Sequence, residues 1–142
     1  MKKIVKISLS NDPEIRTRSV LNEDTDEIIE DKQNRPFITG QSSMLRVIFD
    51  DNTELFIYAP KDYIFDGATI PFKIGKGNMK ILIPALFHDR MCEDKALINY
   101  NRQLSSDIFY ESLLFCHNSK IVAKTMYFFV NNYQKFMDWR EK

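Results

Sequence analysis

The chain has 142 residues, of which 44% are hydrophobic and 13% aromatic, including 11 Phe and 6 Tyr; that is enough apolar material for one domain with its own core and excludes a disordered tail or adaptor. Twenty basic residues balance twenty acidic ones, so charge alone gives no general affinity for nucleic acid or anionic membrane. Cys92 and Cys116 are too few for a disulfide scaffold, no charged-then-apolar signal segment opens the chain, and no apolar run reaches the roughly 20 residues that span a bilayer.

Ile4-Val5-Lys6-Ile7-Ser8-Leu9 alternates as a strand does. The acidic stretch from Asn22 to Glu27, with Glu30 and Asp31, reads as a solvated excursion, and it lacks the central glycine and the regular oxygen spacing of an EF-hand. Arg35-Pro36-Phe37-Ile38 starts another strand. Met44–Phe49 and Glu54–Tyr58 are β-rich runs separated by Asp50-Asp51-Asn52-Thr53, whose short polar side chains suit a tight hairpin turn.

After the loop Phe65-Asp66-Gly67-Ala68-Thr69-Ile70-Pro71, the segment Lys73–Asn78 contains Gly75 and Gly77 and reads as a linker or lid; it does not match a phosphate-binding loop. Helical spacing follows. Pro84 fits a first helical position, with Leu86, Phe87, Met91 and Cys92 on an apolar side. A second helix is predicted from about Arg102 to Cys116, with Leu104, Ile108, Phe109, Leu113 and Leu114 inward. A third is predicted from about Ser119 to Arg140, with Ile121, Val122, Met126, Phe129, Tyr133, Phe136 and Met137 inward and Trp139 as a packing anchor. The predicted fold is α+β: an N-terminal antiparallel β-sheet with hairpins, then three packed α-helices, in a single domain (1–142) that is β-rich over 1–72 and helical over 82–140.

His88 and Asp89 are neighbours on the first helix, about 100° apart, so they suit adjacent tasks rather than a facing pair. A histidine takes a proton from water near neutral pH, while a carboxylate beside it can ligate a calcium ion that polarises a carbonyl. Asp107, near the start of the next helix, is the candidate to fix the His88 tautomer if the two helices pack antiparallel. Asp66 and the carbonyl groups around Gly67 and Ala68 would complete the cation's oxygen ligands from a loop where glycine permits a sharp bend. The same residues also have a plain structural reading: a buried His88 bonded to a backbone carbonyl, a surface or capping Asp89, and a turn at Asp66-Gly67. A zinc set of His88, Cys92, Cys116 and His117, or a Cys92–His117 hydrolase, is a weaker fit, because Cys116 and His117 are consecutive and no oxyanion hole or activated thiolate is evident.

The loop Phe65–Pro71, the run Ile83-Pro84-Ala85-Leu86-Phe87-His88-Asp89 and the run from Ser106 to Leu113 together resemble a phage and prophage family known as domain of unknown function 1353. That family typically shows a Thr-Asp-Gly-Ala-Ser-Ile-Pro loop, a His-Asp-x-Leu-Tyr helix and an Ala-Asp-x-x-Phe helix, and the resemblance covers about Glu54 to Trp139. It implies a phage origin and a location in the host cytoplasm or the virion. A more distant resemblance is to bacterial secreted phospholipase A2. It implies His88 as general base, Asp107 as its orienter, and Asp66, Gly67 and Asp89 around calcium, with a lipid ester as substrate. Cys92 stands where both families carry Tyr, which removes a hydroxyl expected to support the orienting carboxylate, and the bracing disulfides of the secreted enzymes are absent.

Two function classes follow. One is a calcium-dependent hydrolase of lipid or other esters; the other is a non-enzymatic virion or tail component or host-interaction protein that keeps the fold. The partners implied are phage structural proteins or a host protein, with no nucleic acid and no transmembrane segment.

Overall fold

A computed structural model describes residues 2–17, 19–22, 27–30, 37–65 and 79–136. These form β1 (Ile4–Leu9), β2 (Ile15–Thr17), β3 (Ser19–Asn22), β4 (Glu27–Glu30), β5 (Phe37–Thr39), β6 (Ser43–Phe49), β7 (Glu54–Ala59) and β8 (Ile64–Phe65), followed by α1 (Met79–Glu93), a 3-10 turn at Lys95–Ile98, α2 (Arg102–Phe115) and α3 (Lys120–Phe136). The fold class is α+β, an antiparallel β region followed by three packed helices, as the periodicities predict.

The β6–β7 hairpin organises the first half. On β6, Ser43, Leu45, Val47 and Phe49 are buried and alternate with more exposed residues, the period-2 signature of a sheet with one covered face. The turn closes as its residues dictate: Asn52 takes a left-handed φ of 68°, and the Asp51 carboxylate accepts from the Thr53 amide at 3.1 Å. β1 adds antiparallel to the other edge of β6, giving the order β1-β6-β7, with Leu9 opposite Leu45 and Ile7 opposite Val47. A second antiparallel sheet runs β2-β5-β8. Thr39 ties it to the segment after β7: its buried hydroxyl donates to the Pro60 carbonyl at 2.7 Å and accepts from the Tyr63 amide at 2.9 Å.

Of the predicted excursion, Asn22, Glu27 and Glu30 belong to a two-stranded ribbon, β3 with β4, with Val20 opposite Ile29 and Leu21 opposite Ile28 in register, and residues 23–26 lie outside the described residues. The apolar pairs Val20-Leu21 and Ile28-Ile29 are short enough to be hidden by the surrounding charge in a pattern reading. Asp31, the linker Lys73–Asn78 and Trp139 lie outside the described residues.

Helix α1 is the hub of the core. It packs on β7 and α2, and Leu82, Ala85, Leu86, Phe87, His88 and Met91 are all within 1% of complete burial. A helix apolar on all sides belongs inside. Pro84 lies within α1, not at its first turn, so the carbonyl of Lys80 loses the amide that would bond to it four residues on. The Asn118 side-chain amide replaces that donor, at 2.8 Å. Asn118 is held in place by the end of α2. His117 takes a left-handed φ of 71°, which brings the Asn118 amide to the Leu113 carbonyl at 3.0 Å and the His117 amide to Leu114 at 3.0 Å.

Helix α3 presents Ala123, Met126 and Val130 inward, whereas Ile121 is 79% exposed and Val122 and Phe129 are each 37% exposed. Of the predicted stripe, Met126 is inward and Ile121, Val122 and Phe129 are not, while the side chains of Tyr133, Phe136 and Met137 lie outside the described residues. Apolar residues occupy more than one side of this helix, and contact with α2 selects the side that holds Ala123, where the helices can approach closely.

Candidate functional site

His88 is 1% exposed on α1. The Phe109 ring of α2 packs against it, with centroids 5.1 Å apart and planes at 49°. Cys92, one turn along α1, brings Sγ to 3.8 Å from Nδ1 and 3.9 Å from Nε2, so the sulfur lies on the lone-pair axis of neither nitrogen and makes a packing contact rather than a directed bond. Burial holds the imidazole at a pKa of about 3, far below its ordinary 6.5. The ring is therefore neutral throughout the physiological range.

The hydrogen bonds of Asp107 run to α2 and α3 and not to His88. Asp107 precedes Phe109 by two residues, about 200° around a helix, so a Phe109 turned to α1 turns Asp107 away. The Asp107 Oδ1 instead accepts from Gln103 Nε2 at 2.9 Å and from the Tyr127 hydroxyl of α3 at 3.3 Å, while the Gln103 amide also donates to that hydroxyl oxygen.

Asp89 is buried, 9% exposed, on α1, and its charge reaches Tyr63. Arg90 spans the same junction: its Nε donates to the Tyr58 carbonyl at 2.7 Å and its guanidinium lies 5.4 Å from the Tyr63 ring centre. Burial first, then the carboxylates of Glu93 and Asp89, raise the Tyr63 phenol above its ordinary range. Tyr63 leads into β8, whose last residue, Phe65, precedes Asp66 in sequence. Asp66 and Gly67 themselves lie outside the described residues, so Asp89 is the one described member of the expected cation set, and no step through calcium is derived from it. Among the described residues no three His, Cys, Asp or Glu side chains gather as a metal site. The thiol of Cys116 is pushed up to about 11 by burial, the opposite of nucleophile activation.

On its other face α2 builds a site that the pattern reading passed over. A cleft of about 580 Å³ opens between β1, α2 and α3, with Ile4, Leu104, Tyr110 and Tyr127 in its walls and Asp107 and Glu111 on one helical face. Tyr110 and Tyr127 meet edge to face, centroids 5.8 Å apart at 73°. Glu111 Oε2 is shielded from solvent and has no hydrogen-bond partner among the described residues. Burial first, then the Asp107 charge one turn away, raise the Glu111 carboxyl above its usual range. Two carboxylates at i and i+4, beside Leu104 and Tyr110 on the same helix, are the sequence signal that could have found this cleft.

No protein-family model matches the chain, and neither a curated protein nor a solved structure matches it.

Proposed function

We propose that this chain is a non-catalytic phage protein, a virion or tail component or a host-interaction factor, that works by binding rather than by hydrolysis. The observation that carries this reading is the placement of His88 against Phe109. A general base must reach a water beside the substrate and needs a pKa near the working pH. An imidazole 1% exposed, with a pKa of about 3, offers little surface to water and little driving force to accept a proton. The phage origin rests on the resemblance of the loop and two helical runs described above.

A second reading keeps the calcium-dependent ester hydrolase, with His88 as base, Asp107 as orienter and Asp66, Gly67 and Asp89 around the ion. One observation favours it: the charge of buried Asp89 reaches Tyr63, which precedes the strand that leads in sequence to Asp66-Gly67. Calcium titration by calorimetry, paired with ester release from mixed phospholipid vesicles, separates the two. The expected result is no saturable calcium heat and no release above the blank. Saturable binding together with turnover that is lost in a folded His88→Gln variant would overturn the binding-only reading.

A further inference from the structure

We propose that the cleft between β1, α2 and α3 binds a small organic ammonium compound, its cationic nitrogen held by Asp107 and Glu111 and its apolar body by Tyr110 and Tyr127. This assigns a ligand class to a site remote from the His88 environment and does not depend on whether the chain also hydrolyses esters.

Size comes first. A cavity of about 580 Å³ falls within the range of sites that enclose small molecules, and its apolar walls with a few converging polar groups match their usual make-up. The charged groups of the lining are the half-buried Asp107 and Glu111 and the exposed Lys2, Lys3 and Lys124. Both bonds to Asp107 end on Oδ1, and Oδ2 receives none among the described residues. Glu111 Oε2 is an acceptor without a donor. The two carboxylates sit one turn apart on the same face, so each disfavours the other's charge until a cation enters between them. The aromatic pair adds ring faces, on which ammonium groups rest favourably.

The lysines of the lining do not fill this role. Lys2 is turned toward the β6–β7 hairpin, bonded to Thr53 Oγ1 at 3.0 Å and 3.6 Å from Asp51 Oδ2. Lys3 and Lys124 are exposed and form no ion pair with either carboxylate. Charges on flexible solvated stems are screened, whereas the half-buried carboxylates act through a poorer dielectric, so the acids set the preference of the cleft.

The test uses the full chain and three probes of matched shape at neutral pH: phenethylamine, 2-phenylethanol and 3-phenylpropionate, each titrated by amide NMR. Phenethylamine is expected to saturate, with shifts concentrated at Leu104, Tyr110 and Glu111. The alcohol and the acid should bind at least about tenfold more weakly, the size expected for losing a charge-assisted hydrogen bond. Asp107→Asn and Glu111→Gln, which keep shape and remove charge, should each weaken the amine by about tenfold, while Asp62→Asn, outside the cleft, leaves it unchanged. Equal binding of the alcohol, tighter binding of the acid, undiminished binding by both charge-neutral variants, or no saturation by any probe would each overturn the proposal. The comparison among probes needs only the wild-type chain, so it stands even if a variant fails to fold.

Discussion

Asn118 donates its side-chain amide to the carbonyl of Lys80, the acceptor to which Pro84 has no amide to offer. One side chain in the turn between α2 and α3 thus repairs a defect in the helix at the centre of the core. It also donates to the Leu113 carbonyl at 2.9 Å, so the same amide fastens the end of α2 to α1.

Removing that amide should cost stability in proportion to the orphaned carbonyl. Asn118→Ala is expected to destabilise by about 1–3 kcal/mol in urea unfolding. In a Pro84→Ala background, where residue 84 regains its own amide, the same substitution should cost measurably less. A double-mutant cycle with no coupling would show that Asn118 acts elsewhere.

His88 predicts an acid limb in the stability curve. Its folded pKa, about 3, lies below its ordinary 6.5, so the unfolded chain binds the extra proton between those values. The stability it contributes is present above 6.5 and is lost as pH falls toward 3, at up to about 1.4 kcal/mol per pH unit. Chemical unfolding of wild type and His88→Gln from pH 7 to pH 4 checks this: the wild type should fall more steeply, and parallel curves would contradict it.

Glu111 predicts the opposite sign. Its carboxyl is raised in the folded chain, so the folded state holds its proton more tightly than the unfolded state does. The resulting stabilisation is full at acid pH and is lost as pH rises through the folded pKa. Glu111→Gln should therefore be neutral or stabilising near pH 7 and lose any advantage in acid, read as thermal midpoints across that range.

Cys116 should label slowly. A thiol pushed up to about 11 from 9.0 carries roughly a hundredth of the ordinary thiolate fraction at pH 8. Iodoacetamide modification followed by peptide mass spectrometry should find the Cys116 peptide modified about a hundredfold more slowly in native than in urea-unfolded protein. Equal rates in the two states would refute the burial effect.

The β6–β7 hairpin was legible because its residues declare both period and turn: alternating Leu45, Val47 and Phe49, then short polar side chains from Asp50 to Thr53. The three helices were legible from apolar spacing, but the rotation of each was less so. For α3 the choice between Ile121 and Ala123 as the inward side depends on how closely α2 approaches, a tertiary fact. For α2 the information was present and in conflict. A pattern that turns Phe109 inward toward α1 cannot also turn Asp107 there, since the two lie on opposite sides of one helix. Pro84 reads as a first-turn residue because Asn118, which makes it tolerable inside α1, is far along the chain.

The pairing of β1 with β6 has a kinetic consequence. The β6–β7 hairpin needs only a local turn and can form in about 1–10 μs, whereas the Ser10 amide reaches the Met44 carbonyl at 3.0 Å only after the whole chain between them has been closed into a loop. β1 is thus the strand expected to dock last and detach first. Native-state amide exchange should then be faster at Ile7 and Leu9 than at Leu45 and Ile57. Because Ile4 lines the cleft on α2, its ligand pocket would be assembled at the end of folding and be the first part of the molecule to come undone.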